Sequence, residues 1–298
     1  MSTQATQINS ARPRQRGLHN LNIGKILLFL VMLYLLVPLA ATLVISFTGS
    51  PFSVKAYSDL FTDSNLWTTL LLSLGLGIGS TILTVVLITP TAYWVQLRIP
   101  RARPLIDLLT LLPFAVPPIV LSLGYLEVYG DSHTWISILS LGLVPLLSND
   151  PFNIVNTPQL LICAYVIIAL PFAYRPIDNS LRALNTRVLA EAASSLGCGW
   201  WRTFLTIIIP NILPGIISAA LLTFTTAMGE FTLASLSGIY TFPVYLDETG
   251  QNDPYKAAAL TIVSFVITLL CVLALIFLAR QRRASKKKTG NIEIAAAR

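Results

Sequence analysis

Six stretches of this chain are too long and too apolar to have water as their solvent: residues 26–47, 66–96, 105–129, 159–174, 207–236 and 257–279. A helix that crosses a hydrocarbon core about 30 Å thick needs about 20 mainly apolar residues. Within that core every backbone N–H and C=O must be satisfied by the protein itself, which leaves only helices and closed barrels. Runs of this length are helical rather than strand-like. The expected fold class is therefore an all-α membrane protein with six transmembrane helices. Only 11% of residues are charged and 54% are hydrophobic, where a soluble domain carries roughly 25% charged residues. The first apolar run follows an arginine-bearing N-terminus, but it exceeds the h-region of a signal peptide and reads as an uncleaved first span.

The net charge of +7 would suit nucleic acid if it were spread over one surface, but it is not. With the N-terminus inside, every Lys and Arg except Lys55 and Lys256 falls in an inner segment, whereas Asp59, Asp63, Asp131, Asp150, Asp247, Glu248 and Asp253 fall in outer ones. Basic residues resist translocation, so the pattern predicts both termini in the cytoplasm and needs no nucleic acid. The expected organisation is a cytoplasmic tail over 1–25, a transmembrane domain over 26–279 and a basic tail over 280–298. The run "TWISILSLGLVPLL" at 134–147 would add a seventh span and reverse the basic tail. Interrupted by Gly142 and Pro145, it is expected instead as an interfacial or re-entrant helix on the outer face, with Trp135 near the headgroups.

The chain lacks GxxxxGK[ST], HExxH, GxSxG and a dinucleotide fingerprint, so no catalytic residue, cofactor or metal is expected and any driving energy comes from another subunit. Cys163, Cys198 and Cys271 form no paired spacing, and His19 and His133 are far apart.

The longest inner segment, "RPIDNSLRALNTRVLAEAASSLGCGWWRTFLTIIIP", covers about 175–210. Leu181, Leu184, Val188, Ala192 and Leu196 recur at helical spacing, predicting an amphipathic helix capped near Asp178 or Asn179. Gly197 and Gly199 should break it, with a second helix from Trp200 toward Pro210. On periodicity alone a helix lying on the inner leaflet remains an alternative.

The spacing of this segment resembles the EAA loop of permease subunits of binding-protein-dependent ABC importers of type I. That pattern is EAA, three residues, Gly, nine residues, then Ile-x-Leu-Pro. Glu191, Ala192, Ala193, Gly197, Ile207 and Pro210 stand at those positions, with Ile209 where Leu is usual. The likeness extends over 56–279, including "AMGEF" and "TFPVYL". It implies that the loop couples to a dimer of ABC ATPase subunits that bind the ATP. It also implies a second permease, identical or related, an extracytoplasmic solute-binding protein, and the inner membrane of a prokaryote. The "GEFTLASLSGIYTFPVYL" region resembles permeases for polyamines, ferric iron or phosphonates, with polyamines preferred. The alternative from another class is an ion- or proton-coupled secondary transporter.

Such a transporter needs ionisable groups inside the membrane. Glu230 lies within the fifth predicted span, where a charge is expensive; it either anchors helix packing or lines the route. Glu127 falls near the outer end of the third span and Asp107 near its inner end. Pro113, Pro117 and Pro118 should kink that span, and Gly75 with Gly79 gives a GxxxG spacing suited to close helix approach. Reporter fusions after residues 55, 150 and 250 are expected to report the outer side; a cytoplasmic signal at 250 would break the six-span topology.

Overall fold

The computed structural model describes residues 20–47, 55–130 and 157–296. The expected helix at 134–147 lies outside the described residues, as do His19 and His133. Eleven helices are described: α1 Asn20–Phe47, α2 Lys55–Thr62, α3 Ser64–Arg98, α4 Arg103–Ala115, α5 Pro118–Gly130, α6 Pro158–Ala183, α7 Thr186–Ser195, α8 Trp200–Met228, α9 Thr232–Leu236, α10 Phe242–Asn252 and α11 Pro254–Ala296. Five of them are long and apolar enough to cross a membrane, and α4 with α5 makes a sixth span if the bent pair is counted as one.

The core is a three-helix bundle of α3, α6 and α8. At its arginine-bearing end Tyr93, Tyr174, Ile177, Leu181, Phe204 and Ile208 are buried together. Midway Leu76, Leu161, Tyr165 and Leu233 form a second cluster, and at the far end Leu66, Phe242, Tyr245 and Leu260 form a third. By contrast α1 leans chiefly on α11, and its residues from Ile26 to Val37 are exposed, as suits a helix facing lipid.

The third span is broken rather than kinked, its halves meeting at 94°. Two consecutive prolines explain the angle. A residue that precedes proline is pushed out of the α region, and Val116, before Pro117, is extended at φ −99°, ψ 118°. The carbonyl of Pro117 then accepts from the N–H groups of Val120 and Leu121, restarting the helix.

Other boundaries move as well. The fourth span does not end near residue 174 but continues through Arg175, Pro176 and Asp178 to Ala183. Asp178 is thus not a cap; it is buried, 2.7 Å from Arg182 Nε one turn on and 3.4 Å from Arg103 Nη2. The ion pair between Arg103 and this carboxylate joins residues 75 positions apart, which periodicity cannot reveal. The fifth span, α8, starts at Trp200 and passes through Pro210 after a π-helical turn at Phe204–Ile208. Proline cannot donate to the carbonyl four residues back and crowds it, and a π turn just before it absorbs that misfit. This helix stops at Met228, so Glu230 lies beyond it rather than inside.

Glycine permits close approach, through one member of the expected pair and not the other. A Cβ on Gly75 would meet nothing within 4 Å, whereas one on Gly79 would lie 3.1 Å from Ile162 and one on Gly77 3.2 Å from Phe224. The tightest contact is Gly215 on α8, where a Cβ would fall 2.6 Å from the carbonyl oxygen of Pro176 and closer still to Ser180 Oγ. At the far end Asp63 caps α3 through the N–H of Asn65 and accepts from Tyr245 OH at 2.8 Å and Lys256 Nζ at 2.9 Å, tying α3, α10 and α11 together. The hydrogen bond from Lys256 holds the Asp63 carboxyl below its ordinary pKa.

Gly215→Ala is expected to destabilise the bundle by about 1–3 kcal/mol, the usual cost of overpacking, while Gly75→Ala leaves it unchanged. Thermal unfolding of the two variants in the same detergent checks this.

Candidate functional site

The polar excursion between α6 and α8 is built from local backbone chemistry. Asn185 adopts a left-handed conformation, φ 49° and ψ 49°, and separates α6 from α7. Asparagine tolerates that region better than other non-glycine residues. Leu181 and Leu184, expected on one helix with Val188, therefore belong to the end of α6, and the amphipathic helix is only Thr186–Ser195. Thr186 is fully buried, and its hydroxyl donates to the Leu181 carbonyl at 2.5 Å. Gln96 Nε2 from α3 donates to the same oxygen at 3.2 Å. One carbonyl freed at the end of α6 thus pins both the start of α7 and the end of α3.

α7 ends in a Schellman motif. The N–H of Cys198 donates to the Ala193 carbonyl at 2.9 Å and that of Gly197 to Ser194 at 3.0 Å. This closure requires a left-handed residue, met by Gly197 at φ 80° without the steric conflict that a Cβ brings. Ala193 is buried against the chain itself and Ala192 faces outward, so only one of the two alanines is free to meet a partner.

Glu191 is 67% exposed and accepts from Arg187 Nε at 2.9 Å, four residues back on the same face, with Arg187 itself 71% exposed. An exposed pair of this kind contributes at most about 1 kcal/mol, so both side chains can exchange partners cheaply. Around them Val188, Leu196 and Trp201 present exposed apolar surface, with Leu196 reaching 84%. Together they form an exposed patch of one ion pair flanked by apolar side chains.

Behind the patch the anchoring is aromatic. Tyr93 of α3 lies against Phe204 at 5.1 Å and Trp200 at 5.4 Å between ring centroids, and Trp200 also stacks on Phe204. Ile207 packs against this cluster, and Pro210 follows the π turn. These rings hold the start of α8 against α3.

The structure does not bring Glu230 or Glu127 to this patch. Glu230 lies in the turn after α8, where its Oε1 accepts from the N–H of Leu233 at 2.8 Å, capping α9. Tyr165 OH donates to the Glu230 carbonyl at 3.4 Å, and Tyr125 of α5 bonds Ser237 and the Leu233 carbonyl, holding the broken span against α9. Glu127 is exposed on α5. Among the described residues no group of His, Cys, Asp or Glu could hold a metal ion. Sequence reasoning missed Tyr93, Gln96, Asn185 and Thr186. The one local signal was Asn-Thr, a pair well suited to interrupting a helix and starting another.

Bent and broken apolar helices, with one short amphipathic helix held outside the bundle, are the features with which the comparisons agree. The chain belongs to the family described as binding-protein-dependent transport system inner membrane component, whose pattern it matches over residues 88–287. It is 37% identical to the molybdenum transport system permease protein ModB of Azotobacter vinelandii over 169 residues, 56% of this chain and 70% of that protein. It is 33% identical to the spermidine/putrescine transport system permease protein PotB of Escherichia coli over 196 residues, 65% of this chain and 68% of that protein. Its fold is similar to a chain in the crystal structure of a bacterial ABC transporter for import of the acidic polysaccharide alginate, with a TM-score of 0.65 at 18% identity, over 89% of this chain and 95% of that one.

Membership makes this chain a type I ABC importer permease subunit, a multi-pass inner-membrane protein that works with a binding protein and an ATPase. The secondary-transporter alternative falls with it. Placing a Cβ at a left-handed residue costs roughly 1–2 kcal/mol. Gly197→Ala is accordingly expected to speed amide exchange at Leu196, Gly197 and Cys198 by roughly 5–30-fold, leaving exchange in α3 unchanged.

Proposed function

We propose that α7 is the coupling helix of this importer, docking on the separate ATPase through Glu191, Ala192 and the exposed apolar residues beside them. Gly197, Ile207 and Pro210 fix its angle to α8. The observation that carries the reading is the mounting of α7: its first residue shares the Leu181 carbonyl with Gln96 of α3, and the Tyr93, Trp200 and Phe204 rings hold the start of the helix that follows it against α3. A docking helix so mounted moves with the spans rather than apart from them, which alternating access requires. In this reading both termini and α7 are cytoplasmic, ATP is bound by two ATPase subunits, and the solute passes between two permeases, identical or related. Glu230 serves as the N-terminal cap of α9, and a loaded binding protein docks on the opposite face.

The preferred substrate is a polyamine, supported by 33% identity to the spermidine/putrescine permease of Escherichia coli and by a match spanning 83% of this chain to that of Salmonella typhimurium. The molybdenum permease relative favours an oxyanion as the second reading. ATPase activity of the reconstituted complex with its binding protein separates them: stimulation by spermidine supports the first, and stimulation by molybdate alone overturns it.

Glu191→Lys and Gly197→Pro are expected to leave membrane insertion intact and lower co-purification of the ATPase at least roughly tenfold, since losing one interfacial anchor costs upwards of about 1.4 kcal/mol. Wild-type recovery of the ATPase with both variants would remove the docking role.

A further inference from the structure

Among the described residues no backbone hydrogen bond crosses from α4 to α5. The N–H of Val116 returns to Leu112 within α4, and those of Val120 and Leu121 go to the Pro117 carbonyl at the start of α5. Pro117 and Pro118 have no N–H with which to bridge the gap. The proline after Val116 also keeps that residue out of the α region, so the break is held open. The backbone torsions of Val116 and Pro117 alone set the angle between the two halves of the third span.

Each half is mounted on a different part of the bundle. α4 packs on α6. Arg103 at its start pairs with the buried Asp178, Asp107 reaches Arg182 at 3.9 Å, and Phe114 near its end meets Phe172 edge-on at 5.0 Å between ring centroids. All three partners lie on the half of α6 that leads into α7. α5 packs on α9 instead. Of residues 118–127 only Ser122 is buried, and Ile119, Val120 and Leu123 are at least half exposed, so little apolar burial holds this half. Tyr125 supplies the hold. Its hydroxyl bonds that of Ser237 and lies 3.3 Å from the Leu233 carbonyl, while its ring packs on the middle cluster. Leu233 and Ala234 are fully buried, which fixes α9 in the outer part of the bundle.

Two helices joined at two residues and bonded to different neighbours have the anatomy of a hinge, in which a few element-terminal residues absorb the change in φ and ψ. We propose that Val116 and Pro117 form a hinge whose angle changes in each transport cycle. Tyr125 is its positioning residue, keeping α5 with α9 while α4 follows the end of α6 that carries α7. Alternating access opens the two ends of the bundle at different times, and an unbroken third span tied at both ends would resist that. The inference rests on the reading of α7 as the coupling helix.

The test uses the complex with its ATPase, in a chain whose Cys163, Cys198 and Cys271 are replaced by serine. Leu112→Cys with Ile119→Cys, both at exposed positions, flanks the joint; Leu108→Cys with Leu112→Cys lies within α4 and serves as control. The rate of cross-linking by a short, reducible bis-methanethiosulfonate is read by mass spectrometry in the nucleotide-free and the ATP–vanadate-trapped states. The flanking pair is expected to react at different rates in the two states, and the control pair at the same rate. Equal rates for the flanking pair in a complex that has trapped nucleotide would overturn the hinge, as would a control pair that changes just as much. Tyr125→Phe keeps the ring and removes the hydroxyl. Added to the flanking pair, it should shrink the difference between states, because a released α5 follows α4; an undiminished difference removes the positioning role. Recovery of the ATPase with Glu191→Lys is scored separately, so a failed coupling reading and a rigid joint give different results.

Discussion

Hydrocarbon supplies no hydrogen bonds, and every irregularity of this bundle is shaped by that fact. A membrane helix can bend, break or end only where other protein groups take up the backbone polar atoms that the break releases. The Pro117–Pro118 break is closed by two N–H groups folding back onto the Pro117 carbonyl. The turn after α8 is closed by Glu230 capping Leu233. The end of α6 is closed by Thr186 and Gln96, which converge on one carbonyl.

The last of these gives the molecule its mechanical character. A helix that merely lay on the membrane surface could move without the spans. Here the first residue of α7 is bonded into the end of α6 and, through Gln96, into α3, while the aromatic stack holds the start of α8 against Tyr93. The exposed face of α7 keeps only loosely committed groups, an ion pair open to solvent and apolar side chains without cover. Rigid behind and available in front is the arrangement that the proposed coupling role needs.

Much of this could be read from residues in order. Apolar runs define the spans because hydrophobic length is a local property. Gly197 announces a helix end, because only glycine takes its backbone angle without strain, and consecutive prolines announce the break in the third span. The errors share one origin. Asp178 reads as a cap because its partner Arg103 is distant in sequence, and Gly75 with Gly79 reads as a packing pair because four-residue spacing cannot show which neighbour, if any, approaches. The contact that needs glycine most, Gly215 against Pro176 and Ser180, has no motif at all.

The sequence by itself determined the solvent, the approximate spans, and that a short helix between the fourth and fifth spans ends at Gly197, since each depends on composition or on residues within a few turns of one another. Tertiary structure alone decided that Asp178 is buried beside Arg103, that Gln96 ties the end of α6 to α3, and that Gly215 is pressed against Pro176 and Ser180. Those outcomes depend on side chains tens of residues apart, on which helices meet and on the depth at which they meet, and no local pattern encodes that.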